Sequence, residues 1–303
     1  MTDLKNATSP LLAVLVCLLG IFLLSAMDAA VKGLVVVLGA YNVLLWRSIF
    51  ATFTAGAGWA ATSSPRPGAH ALRLHALRGV VVTFVALTFF FGLGRLPLAE
   101  AIALSFIAPL VALLLAAVLL GEKIRRVAVW GSLAGLVGVI VIMLGKFGSA
   151  DYGPDAGLGM AAIIASAVLY AYNLILARRQ ALVAKPLEIV FFQNFVVGVT
   201  LGLASPWLGI ALPQDQWLPM AGVTALALGG HFLMSWSYAR AEAQYLIPTE
   251  YSAFIWAMIL GWVFFQEKVG WSTLTGAAFI IGGCLLASRA RPRLAKPIEV
   301  AAV

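Results

Sequence analysis

His231, Ser235 and Tyr238 recur at i, i+4 and i+7 inside an otherwise apolar run, which places them on one face of a helix. An imidazole, a hydroxyl and a phenol on one stripe can hold a small polar ligand. The imidazole can also carry a proton, since its ordinary pKa lies near about 6.5. A histidine so placed serves equally as an interhelical hydrogen-bonder, and both roles stay open. A second stripe comprises Tyr245, Thr249, Ser252 and Trp256, with Glu250 and Tyr251 beside it. Glu250 is the strongest ionisable candidate, because it lies within an apolar run and the nearest basic residue, Arg240, is near that run's end. It can receive a substrate ammonium or a coupling proton, or pair with an arginine from elsewhere. Near the start of the chain Ser25, Asp28 and Lys32 share a face, and Asp28 and Lys32 at i, i+4 can neutralise one another. Arg47 in the next run can join Asp28. This group reads either as an interfacial ion-pair cluster or as a gate. Asn173, with Ser166 and Tyr170, occupies the corresponding face later in the chain. Thr83, Phe84 and Ser105 complete the candidate substrate-binding set. Amides and hydroxyls among aromatics suit small amphipathic zwitterions better than lipids or inorganic ions.

These polar groups sit in a chain that cannot cover a water-facing surface. Of its 303 residues 62% are hydrophobic and only 11% charged, where a soluble domain carries about 25% charged residues. An integral membrane protein follows. A spanning helix needs about 20 mostly apolar residues. Ten such spans can be placed, at 11–32, 41–61, 74–94, 97–120, 125–145, 157–177, 187–206, 218–239, 245–265 and 271–288. Turn-forming clusters separate several of them, among them Ser63-Ser64-Pro65-Arg66-Pro67-Gly68 and Asp151-Tyr152-Gly153-Pro154-Asp155. The two cysteines, Cys17 and Cys284, lie in apolar runs with no metal-ligand spacing. No phosphate-cradling glycine loop or soluble catalytic domain occurs, so no cofactor or metal is expected. The net charge of +8 is explained by basic residues at span ends rather than by nucleic acid. His70 and His75 read as part of a basic loop.

The chain spells the end of a hydrophobic run the same way twice, as "VLLGEKIRR" at 118–126 and "VFFQEKVGW" at 263–271. Glu122 and Glu267 are 145 positions apart, and the same shift brings Arg95 onto Arg240, Gly131 onto Gly276, Gly138 onto Gly283 and Asp28 onto Asn173. Several coincidences in one register indicate an internal duplication of five spans, with units at 11–147 and 156–288 and a basic cytoplasmic tail at 289–303. Because five is odd, the second unit enters the membrane from the opposite side, as in the inverted repeats of many secondary transporters. The repetition also argues against reading the first span as a cleaved leader. With the N-terminus inside, fifteen Lys and Arg fall on the cytoplasmic side and three outside, so both termini are placed in the cytoplasm. Gly131, Gly135 and Gly138, and Gly198 with Gly202, have the spacing of close helix packing.

The spans "EAIALSFIAPLVALLLAAVLLGEK" and "AQYLIPTEYSAFIWAMILGWVFFQEK", followed by the Gly-rich "WGSLAGLVGVIVIMLG", resemble the fourth and fifth helices of EamA-type members of the drug/metabolite transporter superfamily. The resemblance covers two units, about 11–144 and 157–287. It implies ten transmembrane helices in two inverted five-helix repeats around a central cavity, and a carrier of amino acids or other small metabolites, often outward. One branch exports aromatic amino acids. Pro109 departs from the repeat, since the shift brings it onto Phe254. The expected protein is therefore an all-α secondary transporter of a bacterial-type inner membrane, exporting amino acids by alternating access. It has a small-molecule substrate and the bilayer as its partners, no nucleic acid, and works as a monomer. An integral-membrane enzyme or a channel acting on small amphipathic or lipid substrates is the alternative. An enzyme needs clustered carboxylates or histidines at one interface, and a channel a continuous ring of like polar groups.

Overall fold

The structure, a computed structural model, describes residues 10–61, 67–108, 111–112, 115, 126–145, 155–181, 183–238 and 252–288. The regular elements among them are helical. Helix α1 (Pro10–Ala60) is broken at Gly39, whose φ of 76° and ψ of 153° interrupt the helical path. A Cβ on Gly39 would touch nothing within 4 Å, so glycine is required for its backbone freedom and not for space. The break is a reversal. Arg47 Nη1 lies 3.8 Å from Met27 Sδ, whereas a straight helix would hold residues so far apart in sequence about 30 Å apart. The two limbs of α1 are the first two expected spans, and the first runs on to Leu38 rather than ending at Lys32.

The chain continues through α2 (Ala69–Leu93), α3 (Leu98–Ser105), α4 (Arg126–Leu144), α5 (Ala156–Ala181) and α6 (Pro186–Gly202). After a short α7 (Ser205–Leu208) and a 3-10 turn at Gln214–Gln216 come α8 (Trp217–Tyr238), α9 (Ser252–Phe265) and α10 (Trp271–Ser288). Four described segments are long and apolar enough to cross a membrane: Leu12–Ala60, Ala69–Leu93, Ala156–Ala177 and Gln214–Met234. The fourth and ninth expected spans are described over part of their length. Pro109, the Glu122-Lys123 pair, Arg240, Tyr245, Glu250 and Tyr251 lie outside the described residues. His70 and His75 belong to α2 and not to a loop.

The main helix pairings cross between the two duplicated segments. The first limb of α1 packs on α8 and its second limb on α6; α2 packs on α5, α3 on α9, and α4 on α10. Small residues set the closest approaches. A Cβ on Gly138 would lie 2.4 Å from the Gly276 carbonyl oxygen, and one on Gly276 would lie 2.5 Å from that of Gly138. A Cβ on Gly283 would lie 2.4 Å from the carbonyl oxygen of Gly131. The 145-residue shift converts one of these contacts into the other. Gly198 and Gly202 behave differently: the nearest atom to a Cβ on Gly198 is Ser48 Cβ at 3.8 Å, and Gly202 meets nothing within 4 Å. They form no close helix crossing. Gly198 instead lines an open apolar groove with Ile49, Thr52, Phe53, Phe195 and Val199. Large apolar side chains such as Phe53, Trp207 and Leu218 face outward, as helices in lipid require.

Candidate functional site

Lys32, expected to pair with Asp28, pairs instead with a residue far along the chain. Its ammonium donates to the Glu267 carboxylate and to the Leu96 carbonyl, and it lies 5.3 Å from the centre of the Phe265 ring. The other oxygen of Glu267 accepts the Leu98 N–H at 2.7 Å. Leu98 opens α3, where the first N–H groups have no partner within the helix and the helix dipole favours a negative charge. Glu267, the acid of the repeated Glu-Lys ending, thus caps a helix of the other segment. Gly261 makes room for it, since a Cβ there would stand 2.6 Å from Glu267 Oε2.

With Lys32 engaged elsewhere, Asp28 makes no hydrogen bond or ion pair among the described residues, and the charge that acts on it is Arg47. Arg47 lies over the Phe90 ring at 5.2 Å. Both Arg47 and Arg78 act electrostatically on His231. Arg47 thus stands between Met27, next to Asp28 on the first limb of α1, and Phe90 of α2, while Arg78 lies earlier on α2 and His231 on α8, which packs on the first limb. The Nδ1 of His231 donates to the Ala227 carbonyl at 2.7 Å, because a carbonyl can only accept. The Nε2 of the neutral ring is then a bare acceptor, and His231 is exposed.

Arg78 begins a chain of buried polar groups. Its Nε donates to Asn173 Oδ1 at 2.9 Å, and its Nη1 donates to Gln180 Oε1. Gln180 Nε2 meets His75 Nδ1 at 2.5 Å, and His75 Nε2 meets Glu188 Oε1 at 2.9 Å. Asn173, Gln180, His75 and Glu188 are all buried. The His75 ring stacks on Phe192 at 4.7 Å, and Phe192 in turn packs edge-on against Trp59. This chain joins α2, α5 and α6.

The remaining sequence candidates are more scattered. Thr83 is buried and bonds back to Gly79 O at 2.8 Å, and Ser105 bonds to Ala101 O at 2.8 Å. Phe84 is exposed. Trp256 packs edge-on against Phe22 at 5.0 Å, with its indole N–H buried and unbonded among the described residues. Ser235 and Tyr238 lie on the last turns of α8.

Sequence reasoning missed Arg78, His75, Gln180, Glu188 and Glu267. A signal existed for most of them: His75 and Arg78 stand at i, i+3, and Asn173 and Gln180 at i, i+7, so each pair shares a helix face.

Residues 11–144 and 157–289 each match the EamA-like transporter family. The chain belongs to that family. Its apolar helices and this membership make it a multi-pass membrane protein, and its relatives are transporters of small molecules. It is 25% identical to the pseudopaline exporter CntI of Pseudomonas aeruginosa, over 92% of this chain and 96% of that protein. It is also 25% identical to an S-adenosylmethionine uptake transporter of Rickettsia bellii, over 70% of this chain and 71% of that one. A riboflavin transporter of Brucella anthropi is 24% identical over 74% of this chain and 81% of its own length. A solved crystal structure with 21% identity superposes with a TM-score of 0.58, covering 91% of this chain and 96% of that one, and so shares the fold.

Proposed function

We propose that this protein is a secondary transporter that carries small zwitterions, amino acids foremost, across a bacterial inner membrane by alternating access between two inverted five-helix halves, with export as its physiological direction. The observation that carries the reading is that ionisable groups stand on packed apolar helices: Asp28 and Arg47 on the facing limbs of α1, Arg78 on α2 and His231 on α8. Ionisable groups within an apolar helical bundle are costly and mark substrate or ion paths. This set offers a guanidinium for a carboxylate, and a carboxylate with an imidazole nitrogen, unbonded among the described residues, for an ammonium. The pairing of helices across the two segments, with glycine contacts that exchange under the 145-residue shift, supports two halves able to rock on one another. The relatives' cargoes differ among themselves, so the substrate class is argued from the charged groups alone.

The test is a panel of radiolabelled amino acids in proteoliposomes. Uptake or exchange of at least one amino acid is expected. His231→Ala lowers its rate by about tenfold, the worth of one hydrogen bond to a charged group, while expression and mono-dispersity are unchanged. Absence of movement for every amino acid would sink the substrate assignment.

A further inference from the structure

The polar chain from Arg78 to Glu188 has a direction imposed by its atoms. A guanidinium can only donate, so the part of Gln180 that faces Arg78 is the amide oxygen. The amide nitrogen then faces His75 Nδ1, which must accept. The proton of the neutral ring is therefore on Nε2, which donates to the Glu188 carboxylate. Every donor points the same way, from a cation at one end to an anion at the other.

A second proton on this ring has only Nδ1 to go to, and there it meets the two N–H donors of Gln180. The ring cannot turn to water, because it is 1% exposed and held against Phe192. The conflict is relieved when the Gln180 amide rotates by half a turn, presenting oxygen to His75 and nitrogen to Arg78. Arg78 then loses an acceptor and faces a donor, while its Nε still holds Asn173.

We propose that His75 is a proton-binding site coupled through Gln180 to Arg78, so that protonation of His75 releases the guanidinium for the carboxylate of a substrate. The proposal rests on the carrier reading above. Besides Glu188, which bonds the ring, the elements packed against His75 carry Arg73 and Arg78 on its own helix, Lys185 just before α6, and Tyr170, Tyr172 and Arg179 on α5; the second limb of α1 presents Trp59, which is neutral. The Glu188 carboxylate stabilises the imidazolium once formed. The proton goes to Nδ1 and no other covalent bond changes; the Gln180 amide exchanges its hydrogen bonds as it turns. Linkage is reciprocal, so carboxylate binding draws a proton onto His75. Substrate and proton then travel together: export runs down the substrate's own gradient, and an inward proton gradient opposes it.

The test is equilibrium binding of radiolabelled phenylalanine and tryptophan to the purified full-length protein, with proton uptake followed by a pH dye in weak buffer. Affinity rises on going from about pH 8 to about pH 6, by at most about tenfold per pH unit. Adding ligand turns the medium alkaline. In Gln180→Met and in His75→Gln both effects vanish while binding persists, a result that loss of packing alone would not give. Protonation of His231 has the opposite sign, since a cationic ring repels the ligand's ammonium. A wild-type affinity that is flat or falls on acidification, or a slope that survives in both variants, overturns the coupling and leaves the carrier reading intact. Failure of the folded wild type to bind either amino acid at any pH overturns the zwitterion reading and the coupling with it.

Discussion

Glu267 follows the end of α9, and its carboxylate pairs with Lys32 of α1 and caps α3. Removing one member of a buried ion pair leaves the other charge uncompensated, at a cost of about 3–5 kcal/mol. Glu267→Gln should therefore lower the unfolding midpoint clearly. The double variant Lys32→Met/Glu267→Gln should recover part of the loss, and a double-mutant cycle in detergent measures the coupling. Equal and additive losses would show that the pair contributes nothing beyond its separate contacts. At this scale Asp28, Asn173 and His231 stand out in the sequence as polar residues inside apolar runs, where each costs free energy and needs a reason. His75, Arg78 and Gln180 do not. They stand near span ends, where charged and polar residues ordinarily face water. Their partners lie roughly a hundred positions away, as in the link from Arg78 to Gln180, a distance that local periodicity does not reach.

The elements depend on glycine in two different ways. At the α4–α10 crossing backbone meets backbone, so a methyl group has nowhere to go. Gly138→Ala or Gly276→Ala should separate the helices and cost about 1–3 kcal/mol, the range for overpacked interiors. Gly202→Ala, which meets nothing within 4 Å, should leave the melting temperature unchanged or slightly raised, as alanine is the better helix former. Comparable losses in all three would refute the contact geometry. The apolar spans were readable because a bilayer fixes their length, and Gly131 and Gly138 because of their spacing. The same spacing misled at Gly198 and Gly202: it records which residues share a face and says nothing of what that face meets. The reversal at Gly39 was also hidden. Residues 33–40 read as a connection between spans, whereas the structure carries helix up to a single non-helical residue.

Among the described residues the largest helix contacts run between the two matched segments. Each segment alone leaves its partner faces exposed. Residues 1–150 and 151–303 co-expressed as separate chains should therefore associate and co-purify, and either alone should be degraded or aggregate. Independent folding of each would contradict the pairing. The duplication itself was legible from the register of Glu122 with Glu267 and Gly138 with Gly283. What the repeat could not convey is where the copies differ. Asn173 replaces an acid, yet it serves Arg78, while its counterpart Asp28 answers to Arg47. The two halves share a plan and divide the polar work unequally.

The turn at Gly39 bears on how the chain is made. With one residue between the limbs, no soluble stretch separates the first membrane segment from the second. A hairpin this tight is expected to enter the membrane as one unit. Inserted so, Arg47 would enter the lipid beside Met27 and its neighbour Asp28, and neither charge would cross the hydrocarbon unaccompanied.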